Sequence, residues 1–257
     1  MKLIDSHAHL DLLKDAPGAL GRAQQAGVVH ILTIGVDLAS SQRAAQFSRH
    51  LPQVSCSVGL HPHEAAAAGP ELWAELKRLA LTAPAVAIGE CGLDFYRDLS
   101  PRARQREAFQ RQVELALELG LPLVVHDRQA HEEVLAILQR QGAARVGGVL
   151  HCFSGGPDLA REVLTLGFHL GVTGVITYKQ AEVLRQVVRE APLERLLIET
   201  DCPYLTPAPL RGKPNEPAYL LHTLEALALA LGRPAVEVAA ATTASARRLF
   251  GLPPLED

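Results

Sequence analysis

Short β-rich runs alternate with longer amphipathic ones along the whole chain, and that rhythm restricts the fold more than any single residue does. The extended candidates are residues 2–6, 28–36, 54–60, 86–90, 121–126, 146–151, 168–175 and 196–201. Several are near-continuous apolar runs, as strands buried on both faces should be. Helical periodicities lie between them at 16–26, 38–49, 71–81, 101–119, 131–141, 157–166, 180–190 and 219–231, with a last one at 235–250 behind Pro234. Gly27, Gly120, Gly142 and Gly167 stand at helix ends, as C-terminal caps should.

About eight strand–helix units in regular succession predict a TIM-type (β/α)8 barrel in a single domain. An open doubly wound sheet is the alternative. Such a sheet normally opens with a glycine-rich turn after its first strand, where this chain carries His7 and His9. The length of 257 residues suits one barrel, since about 200 to 250 is routine. A hydrophobic share of 48% is ample for its core.

A net charge of −3 offers no global attraction to nucleic acid or anionic membranes, so a polyanionic ligand would need a local patch or metal. No apolar run is long enough to span a membrane. The N-terminus runs straight into the histidine segment, with no room for a signal peptide, and the expectation is a cytoplasmic protein working as a monomer. Cys56, Cys91, Cys152 and Cys202 have neither zinc-ribbon spacing nor a dense disulfide framework and read as free thiols.

The first strand leads into Ile4-Asp5-Ser6-His7-Ala8-His9. Extended backbone points residues i and i+2 to the same face, so both imidazoles reach one place and form a divalent-metal claw. In a barrel of this type the reactive groups gather at the C-terminal ends of the strands. His61 and His63 follow the third strand, Glu90 ends the fourth, His126 the fifth, His151 the sixth, and Glu199 and Asp201 the eighth. Burying such groups unpaired costs several kcal/mol, so their convergence predicts metal.

Four imidazoles with Glu90 and Asp201 exceed what one tetrahedral zinc needs. We therefore expect two divalent cations (Mg2+, Mn2+ or Zn2+), with His7, His9 and Asp201 on one, His126 and His151 on the other, and Glu90 bridging. Asp201 is also a candidate proton acceptor for the nucleophilic water. Glu199 is placed beside it to orient the water, to bind an ion, or in an outer supporting role. His61 and His63 flank Pro62, where contact with a phosphate or carboxylate is as plausible as metal binding. Strand alternation is expected to turn Cys91, Cys152 and Cys202 away from the pocket into the helix layer.

With these residues in view, the chain closely resembles the TatD family of metal-dependent deoxyribonucleases, a branch of the amidohydrolase superfamily. The resemblance covers almost the whole length. It rests on the His7-Ala8-His9 block, Val58-Gly59-Leu60-His61-Pro62-His63, Ile88-Gly89-Glu90-Cys91-Gly92-Leu93-Asp94-Phe95-Tyr96 and Leu150-His151-Cys152-Phe153-Ser154-Gly155. Two further blocks are Leu197-Ile198-Glu199-Thr200-Asp201-Cys202-Pro203-Tyr204 and Arg211-Gly212-Lys213-Pro214-Asn215-Glu216. It implies a TIM barrel, a divalent-metal centre and hydrolysis of DNA phosphodiesters, commonly from a 3′ end, and it matches His7, His9, Glu90, His126, His151 and Asp201 as ligands. The chain departs from the family at Asp127-Arg128-Gln129-Ala130, where Ser-Arg-Asp-Ala is usual, and at Ser245, where Asn is usual.

DNA is thus the expected substrate, taken as a single strand or frayed end because a duplex would have to unpair to enter a deep pocket. Arg211 and Lys213, in the loop after the eighth strand, are expected to hold phosphate, with Asn215 donating to phosphate or sugar and Arg128 reaching in from beside a ligand. Phe95 and Tyr96 are placed to stack on a base or to pack under a loop. The alternative is hydrolysis of another bond on the same scaffold, such as a D-aminoacyl-tRNA ester, a lactone or an amide, because activated water serves acyl and phosphoryl centres alike. A non-catalytic metal-dependent binding protein is a further class, disfavoured by the open coordination such a set implies.

Overall fold

All eight predicted strands form, in order and mutually parallel. The structure is a computed structural model and describes residues 1–253. The strands are β1 (Leu3–Ala8), β2 (Val28–Thr33), β3 (Val54–Val58), β4 (Ala85–Asp94), β5 (Leu123–Arg128), β6 (Gly148–Leu150), β7 (His169–Val172) and β8 (Leu196–Ile198). The helices are α1 (Ala16–Gln25), α2 (Leu38–His50), α3 (Pro70–Thr82), α4 (Arg102–Leu119), α5 (His131–Arg140), α6 (Pro157–Thr165), α7 (Glu182–Glu190), α8 (Leu220–Leu231) and α9 (Ala235–Phe250). No helix among the described residues is long and apolar enough to cross a membrane.

The strands pair in chain order from β1 to β8. The ring comes back to its start through a bridge between Ala8 and Cys202. Beside it the Asp201 N–H donates to the His7 carbonyl and the His9 N–H to the Cys202 carbonyl, each at 2.9 Å. The result is a nearly closed (β/α)8 barrel, which disposes of the open-sheet alternative. Closure also brings the two ends of the sequence-predicted site, β1 and β8, into direct contact.

Local signals explain where the helices start and stop. At α2 the Asp37 carboxylate accepts the Ser40 N–H at 2.6 Å while the Ser40 hydroxyl accepts the Asp37 N–H at 2.9 Å, so two otherwise unpaired helix donors are satisfied reciprocally. Helix α4 ends at Gly120, whose φ of 68° is a left-handed conformation that a side chain disfavours.

The core lies in two layers. One lines the space between strands and helices, and includes Leu3, Val58, Phe109, Leu170 and Leu224. The other fills the barrel's interior with Ile4, Leu32, Ala87, Val124, Val149 and Leu197, and is stoppered from below by Ala246, Phe250 and Leu252 at the end of the chain. Ser245 on α9 is fully buried, its hydroxyl 2.8 Å from the Glu194 carbonyl and 2.9 Å from that of Ala241. That departure from the family therefore sits at the foot of the barrel, far along the chain from any candidate ligand.

The strand ends differ from the sequence reading in an informative way. Strand β4 runs past Glu90 to Asp94 because Cys91–Asp94 continue to pair with Val125–Arg128 of β5. Strands β7 and β8 stop early. After β7 the chain turns into a short 3-10 segment at Gly174–Thr177. After β8, Asp201 takes a φ of 56°, which ends any extended run.

Candidate metal centre

Glu90 is the hub of the C-terminal face. It is almost fully buried, and its two oxygens serve different groups. Oε2 lies 3.4 Å from His7 Nε2 and 3.9 Å from His9 Nε2. Oε1 lies 2.9 Å from His126 Nδ1, 2.9 Å from His151 Nε2 and 3.4 Å from His61 Nε2. Asp201 completes the first group, its Oδ1 3.6 Å from His7 Nε2 and 3.4 Å from His9 Nε2. The claw closes as the i, i+2 spacing predicts, with the two Nε2 atoms 3.3 Å apart, although β1 ends at Ala8 and His9 already lies beyond it.

Three overlapping sets have donor atoms close enough to hold one ion: His7, His9 and Asp201; His7, Glu90 and His151; and His61, Glu90 and His126. All six sequence-assigned ligands thus come together, and His61 joins them. The sequence leaves His61 between substrate contact and metal binding; the structure seats it against Glu90, where it can serve as a ligand. Its imidazole pKa is pushed down to about 4, chiefly by burial, which keeps it neutral.

The donor set fits divalent cations on physical grounds. Glu90, Asp94, Glu199 and Asp201 are all buried, yet imidazoles are the only cationic groups within ion-pair distance of them among the described residues, with no Lys or Arg there. Elsewhere carboxylates meet arginine, as Asp11 meets Arg43 and Glu216 meets Arg22. Buried anions without a partner are costly. Imidazole nitrogens converge on one another as well, His126 Nδ1 lying 3.3 Å from His151 Nε2. Mixed nitrogen and oxygen donors in this arrangement suit first-row transition ions and, for the carboxylates, Mg2+.

Local electrostatics keep the acids ionised. Burial raises the Glu90 pKa, but His151, His61 and His126 outweigh it and hold the carboxyl well below its ordinary value. Burial alone would depress His151, yet Glu90 and Glu199 push it well above the ordinary imidazole value. His9 is raised against its own burial by Asp201.

Glu199, for which the sequence leaves open a place at the water, on an ion or in an outer supporting role, is closed off from the cavity. Its side chain is fully buried, its Oε1 accepts the Cys152 N–H at 2.6 Å, its Oε2 accepts the Ser6 hydroxyl at 3.2 Å, and its Oε1 stands 3.6 Å from His151 Nδ1. It supports His151 from behind. Room for it exists because residue 171 is a glycine: a Cβ there would stand 2.7 Å from Glu199 Oε2.

Asp94 is the residue the sequence reading misses. It is almost fully buried, its Oδ2 2.8 Å from His63 Nε2 and 3.3 Å from His126 Nε2, while Oδ1 accepts the N–H groups of Tyr96 and Arg97. It therefore orients His126 from the side away from Glu90 and anchors His63. The signal is present in principle, since Glu90, Gly92 and Asp94 alternate along one strand face. His63 stands at the cavity edge on this support, partly exposed.

The cluster floors a cavity of about 1030 Å³ lined by His9, His61, His63, Arg128, Tyr204 and others. Cys152 also lines it, contrary to the alternation argument, because β6 stops at Leu150 and Cys152 has a φ of 45°. Burial raises its thiol pKa to about 12, so it stays protonated. Cys91 and Cys202 are fully buried in the strand–helix core as expected.

Three residues assigned to substrate fall elsewhere. Asn215 is buried, its amide donating to the carbonyls of Thr200 (2.8 Å) and Tyr204 (2.6 Å) while its oxygen accepts the Glu216 N–H, so no donor is left over for phosphate or sugar. This clamp folds the following loop back on itself. Arg211 consequently lies over the Tyr178 ring at 4.6 Å and Lys213 points to solvent, and neither lines the cavity. Phe95 packs under Arg102 and Arg106. Tyr96 carries Arg128 at 4.6 Å over its ring.

The family model for TatD related DNase matches residues 4–251. A protein named as an uncharacterized metal-dependent hydrolase, YabD of Bacillus subtilis, is 41% identical over 251 residues, 96% of this chain and 98% of that one. A protein of Citrobacter rodentium named 3′-5′ ssDNA/RNA exonuclease TatD is 40% identical over 245 residues, 93% of each chain. Among solved structures, the TatD homolog YJJV of Escherichia coli superposes with a TM-score of 0.93 at 32% identity, covering 98% of both chains.

Proposed function

The chain belongs to the TatD related DNase family and is a metal-dependent hydrolase, and on that premise we propose that it removes nucleotides from the 3′ end of single-stranded or frayed DNA at a centre of two divalent cations. The observation that carries the reading is the division of Glu90 at the floor of a cavity, with Oε2 facing His7 and His9 and Oε1 facing His126, His151 and His61. His7, His9 and Asp201 would hold one ion, and His126, His151 and His61, all within 3.4 Å of one Glu90 oxygen, the other, with Glu90 available to both. Bound there, such ions acidify a water and withdraw charge from the phosphodiester.

The residues themselves divide the remaining work. Asp201 is the carboxylate placed to take the proton of the attacking water, because it reaches the cavity and its pKa, raised by burial, is brought below normal by His9 and His7. Asp94 hydrogen-bonds His126 and Glu199 sets a negative charge 3.6 Å behind His151, so both rings are favoured in their places against Glu90. Burial of these supports excludes water from the back of the cluster, which strengthens every charge interaction within it.

The reading is tested by incubating purified protein with 5′-labelled single-stranded DNA, with Mg2+, Mn2+ or Zn2+ added in turn. A ladder shortening from the 3′ end is expected. Intact DNA under all three ions, together with turnover of a mischarged tRNA or a lactone, would move the activity to the alternative bond class.

A further inference from the structure

The cavity above the metal centre has two unlike walls, and the barrel's strand order sets them opposite each other. Because the strands form a ring in chain order, the loops after β4 and β5 lie across the mouth from those after β8 and β1. The first side carries Arg97 and Arg128, both exposed and both lining the cavity. Neither has a carboxylate within ion-pair distance among the described residues, whereas exposed arginines such as Arg78, Arg161 and Arg233 do. Arg128 is held in place over the Tyr96 ring, a contact that orients its charge without neutralising it.

The second side is apolar. Leu12 follows β1, Tyr204 follows β8, and Val183 follows β7 at the start of α7; all three line the cavity while remaining 45%, 54% and 55% exposed. Exposed apolar side chains gathered at one opening mark a binding surface rather than chance. Tyr204 is the best placed. Its ring stands edge-on to His9 at 6.0 Å, directly beside the metal ligands. Its backbone is fixed from both ends, the N–H donating to the Asp201 carbonyl at 2.9 Å and the carbonyl accepting the Asn215 amide at 2.6 Å.

We propose that this cavity orients a single nucleic-acid strand, with the phosphates along Arg97 and Arg128 and the bases against Leu12, Tyr204 and Val183, Tyr204 stacking on the base next to the reacting phosphate. A polynucleotide is the ligand whose two edges match this division, being a charged backbone with an aromatic face on one side only when unpaired. A duplex hides its base faces and has nothing to offer the apolar wall. The assignment rests on the nuclease reading for its choice of ligand, but it concerns different residues. It also replaces Arg211 and Lys213 as the cations that meet phosphate. Glu64 and Leu99, both exposed, line the same rim, so the cationic wall is local rather than continuous.

Binding separates the two contributions without requiring turnover. The probe is a phosphorothioate-linked, fluorescent single-stranded oligothymidylate in the presence of Mn2+, measured by anisotropy against salt, beside an abasic strand of equal length. Tyr204→Ala is expected to weaken oligothymidylate binding about 5- to 150-fold, the range for removal of one stacked base, and to leave abasic binding and the salt slope unchanged. Arg97→Gln with Arg128→Gln should weaken both strands and flatten the salt slope by roughly 0.7 for each phosphate that is no longer neutralised. Equal weakening of both strands by Tyr204→Ala, no weakening of either, or an unaltered slope in the arginine pair would overturn the assignment. If the binding pattern holds while unmodified DNA stays intact under every ion, the nuclease reading fails and the orientation stands. Cleavage without the pattern means the reverse.

Discussion

At the mouth of the barrel His9 and His151 are buried and His126 largely so, all against carboxylates; at its base His30 is buried against the Ser55 hydroxyl and His169 is buried near two arginines. The residue type and the degree of burial are alike, but the chemistry is opposite. Burial pulls every one of these imidazoles toward neutrality. At the mouth the acids overcome it for these three and raise them above the ordinary value, while burial still prevails at His7 and His61. At the base nothing opposes it sufficiently, and both fall to about 4. The cavity beside His30 is also small, about 220 Å³ against about 1030 Å³. A buried histidine is therefore no site by itself. What distinguishes the mouth is convergence of imidazoles with carboxylates that no lysine or arginine neutralises.

The sharpest way to break that contrast is to remove the shared acid. Glu90→Gln takes the negative charge from both nitrogen groups at once. Loss of an outer supporting residue already costs about 10- to 100-fold in metal affinity or activity, so losing the hub should cost at least about 100-fold. Metal content after dialysis should fall with activity while the circular dichroism spectrum stays that of the wild type. A Glu90→Gln protein with full metal content would show that the two groups do not depend on this carboxylate.

Next in size is a change that touches no ligand. Gly171→Ala drives a methyl group toward the Glu199 carboxylate, which stands where the new Cβ needs space. It should displace Glu199 from behind His151 and lower activity about 10- to 100-fold, the same loss as Glu199→Gln. Combining the two should add little, because both act through one support. Fully additive losses would mean that Glu199 and Gly171 act separately.

Smaller again is Asn215→Ala, which probes how the mouth is held. The base is built on strands and α9, whereas the mouth hangs on turns such as the one Asn215 clamps. Leaving the buried carbonyls of Thr200 and Tyr204 unpaired should cost about 1–3 kcal/mol. For a chain of this size that lowers the melting temperature by about 2–4 °C per kcal/mol. An unchanged melting temperature would show that water replaces the amide.

The contrast also explains which parts of the molecule are legible in the sequence. Strand and helix identity follow from periodicity, so all eight strands can be read, as can the candidate ligands on the strands or just past them: His7, Glu90, His126 and His151. Where the period stops, inference from it stops as well. Asp94 escapes because the apolar run of β4 ends at Glu90 while its pairing with β5 continues. Cys152 faces the cavity rather than the helices because its strand has already ended. His61, Arg211, Lys213 and Asn215 lie on loops whose side-chain directions come from tertiary contacts, the Asn215 clamp among them, and no spacing rule encodes those. Arg97 and Tyr204 carry no sequence signal either: their roles depend on which loops face each other across a closed ring.

The smallest effect sharpens the comparison from the base. His30 has a folded pKa of about 4, lowered by burial, against an unfolded value of about 6.5. Between these values the unfolded chain holds a proton that the folded chain refuses, so His30's contribution to stability is complete above about pH 6.5 and is lost as the pH falls toward 4. Asp5 works in the opposite sense across the same window, since its pKa is raised to about 7 by burial and its share of stability is lost as the pH rises through that value. The imidazoles of His9, His126 and His151 also favour the folded state as the pH falls, being raised. The base is therefore visible only as a difference between two proteins. Denaturant midpoints of wild type and His30→Gln, measured at pH 7 and pH 5, should converge at the lower pH, because the variant has no imidazole to protonate on unfolding. Parallel midpoints at both values would place His30's proton affinity near that of the unfolded chain, and the two ends of the barrel would then not differ in the way described.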